Sequence, residues 1–186
     1  MSVIVWDGKT LAADKQTNYG RSCILTRKIE RAKNGHLLGW VGVHSVGKTM
    51  VNWYNNGRPS ISHPNRGLSS DDDAQLIAIT PDGVFIYEGT ADPYQPETPY
   101  IVLGSGSSFA YAALFAGADA RRAVEITNQL CDSCGLGIDT LTPDWVDLKA
   151  PTGSPTTREQ TAKMYSDRAK EEGIELYDEE ERRWYL

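Results

Sequence analysis

The stretch that decides the fold is SVIVWDGKTLAADKQ, residues 2–16. An apolar run, SVIVW, leads to Asp7 and Gly8, and a second run, KTLAAD, follows them. Asp-Gly adopts the positive φ angles that tight hairpin turns require. Two apolar runs on either side of such a turn are typical of paired antiparallel strands. We therefore expect the chain to begin with a β-hairpin, with Ser2 at the start of its first strand.

The residues after this hairpin alternate between strand and helix patterns. Apolar runs predict three further strands, SCILTRKI (22–29), HLLGWVG (36–42) and PYIVLGSG (99–106), and a second hairpin around PDG (74–89). Helical patterns cover three ranges, 45–55, 107–117 and 119–134. Asn56-Gly57 is placed to end the first helix, and Asp119 and Gly135 to begin and end the last. The polar residues 57–73 are expected to form a loop.

The composition excludes several classes of function. The chain has 186 residues and a formal net charge of −6, with one short basic run, TRKIERAK, so no nucleic-acid partner is expected. Its apolar runs are too short to span a bilayer, and MSVIVWDGK lacks the charged start and cleavage site of a signal peptide. Three cysteines, Cys23, Cys131 and Cys134, suit a reducing compartment. These features predict a cytoplasmic protein without a membrane partner.

The pattern changes near residue 142, which predicts two parts, 1–141 and a C-terminal extension over 142–186. The extension begins with a linker, TPDWVDLKAPTGSP. A surface helix is expected after it, because Thr156 and Glu159 have capping-box spacing and Gly173 marks its end.

A second motif, GVHSVGKTM at residues 42–50, fits the phosphate-binding pattern with Gly42, Gly47, Lys48 and Thr49. A phosphate loop also needs an acidic metal ligand, commonly at the end of another strand, whereas QLIAIT ends in Thr80 and a proline. Two hairpins indicate antiparallel pairing, but this loop normally lies in a parallel sheet. A strand-to-helix turn with close backbone packing is the favoured interpretation, and a nucleotide hydrolase is kept as an alternative.

Ser2 supports a different chemistry. Removal of Met1 would leave a hydroxyl nucleophile and an amine base in one residue. The amine has an unperturbed pKa of about 8, and nearby cations lower it further. Serine is common at this position, so the residue alone indicates little.

The order of residues over roughly 2–141 is more specific. The first hairpin ends in Asp-x-Gln, a lysine follows at the end of the next predicted strand, and glycines bracket the turn after LLGWVG. A strand then runs through G-S-G into an Ala-rich helix. The positions concerned are Ser2, Asp14, Gln16, Lys28, Gly39, Gly42, Ser105 and Cys131. This order resembles proteasome β-type subunits, in particular the bacterial HslV peptidase, and also HslV-like proteins encoded by bacteriophages.

The resemblance implies an α/β fold, a four-layer αββα sandwich of two mostly antiparallel sheets. It implies a homo-oligomer, such as a ring, that cleaves peptide or other amide bonds, and an ATP-dependent unfoldase as a partner. The location would be the bacterial cytoplasm, or that of a bacterial host if the protein is phage-encoded. Where the family has a second long helix, only the loop 57–73 is available here, so one helical layer should be thinner.

The resemblance also implies a role for each site residue. Ser2 would be the nucleophile and its α-amine the base, although the family generally uses threonine. Lys28 would lower the pKa of that amine, and Asp14 would orient Lys28. The Gly42 amide would stabilise the oxyanion, and Ser105 would hold the amine in place.

Two functions remain open for this fold. If Met1 is removed, the chain is expected to be a hydrolase of the N-terminal nucleophile class. If Met1 is kept, the amine is blocked, and a binding protein for a host factor or small ligand is the alternative.

The C-x-x-C pair, Cys131 and Cys134, invites a zinc or redox interpretation. Zinc would need two further ligands, and the three histidines, His36, His44 and His63, show no partner spacing. A redox pair normally opens a helix, whereas this pair closes one, so buried thiols are expected. The resemblance instead implies a monovalent cation on backbone carbonyls, and no required cofactor. The matching positions are Asn128, Cys131 and Cys134.

Overall fold

The computed structural model of the protein describes residues 2–64 and 74–145. Its strands are β1 Ile4–Trp6, β2 Leu11–Asp14, β3 Gln16–Tyr19, β4 Ser22–Leu25, β5 Ile29–Arg31, β6 Leu37–Gly42, β7 Ala74–Thr80, β8 Gly83–Tyr87, β9 Ile101–Leu103 and β10 Ile138–Leu141. Its helices are α1 His44–Asn55, α2 Ser107–Phe115 and α3 Ala120–Leu130, with a 3-10 turn at Ser60–Ser62. Part of the predicted loop, 65–73, and most of the predicted extension, 146–186, lie outside the described residues. The domain boundary at 141 stays a prediction.

Eight of the strands form two four-stranded antiparallel sheets, and β3 and β4 pair with each other as an antiparallel hairpin. The first sheet has the order β10-β2-β1-β9, and the second has the order β5-β6-β7-β8. Both predicted hairpins are confirmed: β1 pairs with β2 around Asp7 and Gly8, and β7 pairs with β8. At the first turn Gly8 has a φ of 89°, and the Asp7 carboxylate accepts the Thr10 amide at 2.7 Å. The Asp-Gly turn therefore joins β1 to β2 as the sequence predicts.

The two sheets pack face to face through alternate residues. Along β1, Ile4 and Trp6 join the core between the sheets, whereas Val5 joins the core under the helices. Along β7, Ile77 and Ile79 point into the same inter-sheet core. This alternation follows from the two-residue period of a strand and leaves each sheet with a second apolar face to be covered.

Helices cover both outer faces. α2 and α3 pack on the first sheet through a core that includes Val124 and Leu114, and α1 packs on the second sheet through a core that includes Met50 and Trp53. The layers are therefore helices, sheet, sheet and helix, which confirms the predicted four-layer αββα sandwich. Among the described residues α1 alone forms the second helical layer, as the short loop after it led us to expect.

Some strands and helix ends differ from the prediction. The run predicted as one strand over 22–29 is two strands, β4 and β5, with a break at 26–28. Strands β3 and β10 were not predicted, because their sequences, QTNY and IDTL, carry no apolar alternation. Helix α3 ends at Leu130, so the C-x-x-C residues lie in a turn beyond it and Gly135 is not its direct stop.

The nucleotide-hydrolase alternative is wrong. Strands β6 and β7 on either side of the motif are antiparallel, with Leu37 opposite Ile79. Lys48 forms an ion pair with Glu30, and the Thr49 hydroxyl donates to a carbonyl of its own helix. Gly47 has a packing role instead, because a Cβ there would lie 2.1 Å from the indole of Trp40. The glycine lets α1 approach the second sheet closely.

The described helices include none that is long and apolar enough to cross a membrane.

Candidate active site

Ser2 lies two residues before Ile4, the first residue of β1, which is an inner strand of the first sheet. Ser2 is buried, with 4% of its surface exposed. The Ser2 nitrogen donates to Ser105 Oγ at 3.2 Å, and the Ser2 carbonyl accepts the Gly106 amide at 3.2 Å. The turn between β9 and α2 therefore holds both backbone groups of Ser2.

This turn approaches Ser2 so closely that it requires glycine. Gly104 has a φ of 97°, a left-handed conformation that other residues rarely adopt. A Cβ on Gly104 would lie 2.2 Å from the Ser2 carbonyl oxygen and 3.3 Å from a methyl of Val41. The same contact places the end of β6, and hence Gly42 beside Val41, at this end of the sandwich.

Asp14 lies under the first residues of β1 and is fully buried. Its carboxylate accepts the amide of Val3 at 2.9 Å, the amide of Gln16 at 3.0 Å and the amide of Gly135 at 3.2 Å. Its Oδ1 also accepts Lys28 Nζ at 2.7 Å. Four donors around one carboxylate fix its orientation.

Lys28 lies in the break between β4 and β5 and is 2% exposed. Besides Asp14, its Nζ donates to the Gln16 carbonyl, and its own carbonyl accepts the Trp40 amide at 3.0 Å. Burial lowers the pKa of Lys28 from its ordinary value, and the Asp14 carboxylate partly opposes that shift. The predicted strand 22–29 is thus interrupted at the position of this buried side chain.

A buried ion pair rarely adds stability, because desolvating two charges offsets most of their attraction. Lys28 and Asp14 are the most deeply buried ion pair among the described residues, and Asp14 contacts the residue that follows Ser2. Perturbed titratable groups of this kind are concentrated at functional sites. The pair therefore marks this end of the sheets as the candidate active site.

Of the five predicted catalytic positions, four form two hydrogen-bonded pairs, Ser2 with Ser105 and Lys28 with Asp14. The amide of Val3, which follows Ser2, donates to Asp14 and brings the two pairs to the same end of β1. Gly42 ends β6 at the same side, is exposed and has a φ of 95°. Its amide as an oxyanion donor stays a prediction, as do the catalytic roles of the other four.

Two participants were missed. Ser133 Oγ lies 3.1 Å from Ser105 Oγ, although the sequence offered no signal for it beyond its place between two cysteines. The sequence marks Gln16 only as the last residue of Asp-x-Gln. In the structure its carbonyl accepts a hydrogen bond from Lys28 Nζ, and its side-chain amide donates to the Asp132 carbonyl at 3.0 Å. Gln16 thereby ties the hairpin β3-β4 to the turn after α3.

The two thiols beside Ser133 differ in environment. Cys134 is 3% exposed, and burial, with a smaller contribution from Asp14, raises its pKa to about 12. For Cys131, partial burial raises the pKa, but hydrogen bonding to Ser133 and Cys134 together lowers the pKa overall. The expectation of buried thiols therefore holds for Cys134, whereas Cys131 is only partly buried.

The predicted cation site lies in the same turn. The Cys131 carbonyl accepts the Cys134 amide at 3.0 Å, and the Asn128 side-chain amide donates to Gly137 at 3.2 Å. Asn128 Oδ1 is buried without a hydrogen-bond donor in the described part of the chain, so an oxygen acceptor is available there. The described residues contain no group of three His, Cys, Asp or Glu that could hold a metal ion. A monovalent cation on backbone carbonyls stays a prediction.

Comparison with known proteins finds similar folds among solved structures. The sequence matches no protein-family model and no curated protein. Among solved structures, eukaryotic HslV from Trypanosoma brucei is similar with a TM-score of 0.55 and 20% identity, over 75% of this chain and 97% of that chain. Thiobacillus denitrificans BPH in complex with epoxomicin has a TM-score of 0.56 and 17% identity, over 75% and 96%. BPH alone has a TM-score of 0.53 and 20% identity, over 75% and 95%. The chain therefore has the fold of HslV.

Proposed function

We propose that this chain, which has the fold of HslV, is an N-terminal nucleophile hydrolase that cleaves peptide or other amide bonds with Ser2. The observation that carries the proposal is the buried Lys28–Asp14 pair, whose carboxylate accepts the amide of Val3 at 2.9 Å. Asp14 thus contacts the residue that follows Ser2, and Ser2 becomes the first residue of the mature chain once Met1 is removed.

The chemistry uses both groups of Ser2. Once Met1 is removed, the Ser2 α-amine is the base and takes the hydroxyl proton as Oγ attacks the carbonyl carbon. The tetrahedral intermediate collapses, the C–N bond breaks, and the protonated amine gives its proton to the leaving nitrogen. Water then hydrolyses the ester on Ser2 by the same two steps. Met1 must be absent, because an amide nitrogen is not a base.

Lys28 makes the base and nucleophile effective. A buried ammonium lowers the pKa of a neighbouring amine and favours negative charge developing on Oγ. The Asp14 carboxylate, held by three backbone amides, keeps Lys28 in place. A water-poor site strengthens these interactions, and both side chains are almost fully buried.

Ser105 and Gly42 complete the site. Ser105 Oγ accepts a hydrogen bond from the Ser2 nitrogen at 3.2 Å, and the same bond would orient the lone pair of the mature amine. The Gly42 amide, at the end of β6, is the proposed donor to the oxyanion, a contribution of about 3–4 kcal/mol in other hydrolases.

We further propose that the chain acts as a homo-oligomer, and a ring is the arrangement we favour. Large apolar side chains are exposed on the β3-β4 hairpin and on the α2-α3 side, which favours further burial on assembly. They include Tyr19 at 75%, Leu25 at 61%, Phe115 at 56% and Leu130 at 59% exposure. An ATP-dependent unfoldase and a location in a bacterial cytoplasm, including that of a phage host, belong to the same proposal.

Labelling with a sulfonyl fluoride tests the proposal, because the reagent sulfonylates nucleophilic hydroxyl groups. We expect one adduct per chain, mapped by peptide mass spectrometry to Ser2, and slowed by epoxomicin, the compound held by the similar BPH structure. The exposed serine of α2 provides the control, since Ser108→Ala should label like the parent chain. A chain that keeps Met1 and takes no label would instead support the binding protein.

A further inference from the structure

The C-x-x-C residues form a turn whose geometry allows a disulfide. The Cys134 amide donates to the Cys131 carbonyl at 3.0 Å, which is the hydrogen bond of a four-residue β-turn. The Cα atoms at the ends of such a turn are less than about 7 Å apart. Disulfides span Cα distances of about 4.4–6.8 Å, so this turn brings the two residues into range. The two thiols are unbridged in this structure.

Cys131 is linked to the nucleophile by a chain of short contacts. Its Sγ lies 3.1 Å from Ser133 Oγ, which lies 3.1 Å from Ser105 Oγ. Ser105 Oγ accepts the Ser2 nitrogen at 3.2 Å. A change in the bonding of the Cys131 sulfur therefore reaches the amine of Ser2 through two hydroxyl groups.

Cys134 is linked to the same site by packing. A Cβ on Gly106 would lie 2.9 Å from the Cys134 Sγ and 3.0 Å from the Cβ of Val3. The sulfur thus fills the space under the start of α2 and beside the residue that follows Ser2. The Gly106 amide, in turn, holds the Ser2 carbonyl at 3.2 Å.

We propose that Cys131 and Cys134 form a reversible disulfide that switches the Ser2 site off, an inference that rests on the hydrolase function proposed above. The oxidant is a small-molecule disulfide. In the reduced state, the Cys131 thiol supports Ser133 and the Cys134 thiol supports Gly106 and Val3. An S–S bond of about 2.05 Å draws both sulfurs toward each other and away from these partners.

The exchange balances in two steps. The thiolate of Cys131, the more exposed of the two, attacks one sulfur of the small disulfide, and the first small thiol leaves with the released proton. The Cys134 thiol then loses its proton and its sulfur attacks the Cys131 sulfur of the mixed disulfide; the bond to the small group breaks, and the second small thiol leaves with that proton. Two protein thiols are oxidised and one small disulfide is reduced to two thiols.

The test uses a full chain carrying Cys23→Ser, which removes the exposed third thiol. The protein is incubated with oxidised glutathione. We expect a mass lower by two hydrogen atoms, with both cysteines in one internally bridged peptide. Sulfonylation of Ser2 should slow by about tenfold or more and recover with dithiothreitol. Hydrogen exchange should rise in the segments around Ser2 and Ser105, a readout that needs no catalysis.

Cys131→Ser is the matched control, because its hydroxyl can still contact Ser133 but cannot form the bridge. Its labelling and exchange should not respond to the oxidant, and Cys134→Ser provides the same comparison should Cys131→Ser fail to fold. Failure of the bridge to form, or a bridge that changes neither readout, would overturn the proposal. If the disulfide forms and raises hydrogen exchange, but Ser2 is never sulfonylated even in the reduced chain, the disulfide switch would stand and the proposed hydrolase function would be refuted.

Discussion

Replacement of Ser2 with alanine is expected to abolish amide hydrolysis, lowering kcat/KM by about 10⁴-fold or more. The reason is that Ser2 supplies the attacking oxygen, whereas the Ser105 hydroxyl, 3.2 Å from the Ser2 nitrogen, has the proposed role of holding the amine in place. Ser2→Thr should keep activity within about tenfold, because threonine has the same hydroxyl and its methyl only restricts the rotamer. The measurement is the initial rate on a peptide amide that the parent chain cleaves.

Alanine and threonine are both small, so Met1 removal and folding can be compared in the two variants by intact mass and by urea unfolding. Ser108→Ala, on the exposed face of α2, should hydrolyse at the parent rate. A Ser2→Ala chain that retains a tenth of the parent rate would rule out Ser2 as the nucleophile.

Lys28→Met is expected to lower the rate by about 10³-fold, since it removes the cation that lowers the pKa of the amine and favours charge on Oγ. It should also lower the free energy of unfolding by about 3–5 kcal/mol, because Asp14 is left buried without its charged partner. Lys15→Met is the matched control: Lys15 pairs with Asp139 at 3.0 Å, but their side chains are 24% and 23% exposed. The loss there should be at most about 1 kcal/mol, with activity kept.

The pH profile of the parent chain gives a second readout of Lys28. Activity needs a neutral α-amine and a protonated Lys28, so it should rise with pH as the amine loses its proton and fall as Lys28 loses its own. Burial lowers the pKa of Lys28, so the alkaline fall should occur below the 10.5 of an unperturbed lysine. A folded Lys28→Met chain with a tenth of the parent activity and the same alkaline limb would show that Lys28 does not serve the reaction.

The sequence predicted the strands and helices whose signals are local. The hairpin at residues 2–16 follows from its Asp-Gly turn and apolar runs, and Asp119 caps α3 through the Arg122 amide at 2.7 Å. Strands β3 and β10 were missed because their pairing depends on distant partners: Ile138 lies opposite Asp14, and Gln16 lies opposite Leu25. Polar strands of four residues carry too little pattern to be recognised alone.

The same limit applies to the candidate active site, because some of its contacts join residues that are distant along the chain. Asp14 and Lys28 were found through their order along the chain, and the structure joins them at 2.7 Å. Ser133 was missed because it reaches Ser105 only after α3 has folded back onto the first sheet, a contact across 28 residues. The phosphate-loop match was misleading because its four residues do not encode the direction of the strands around them. Glycine is needed at position 47 because a Cβ there would collide with the indole of Trp40.

Mass spectrometry of the sulfonylated protein tests the central claim most directly, because one spectrum reports both the first residue of each chain and its adduct. We predict that every labelled chain lacks Met1 and carries the adduct on Ser2. Labelled chains that retain Met1, or that carry the adduct on another residue, would contradict an N-terminal nucleophile in this fold.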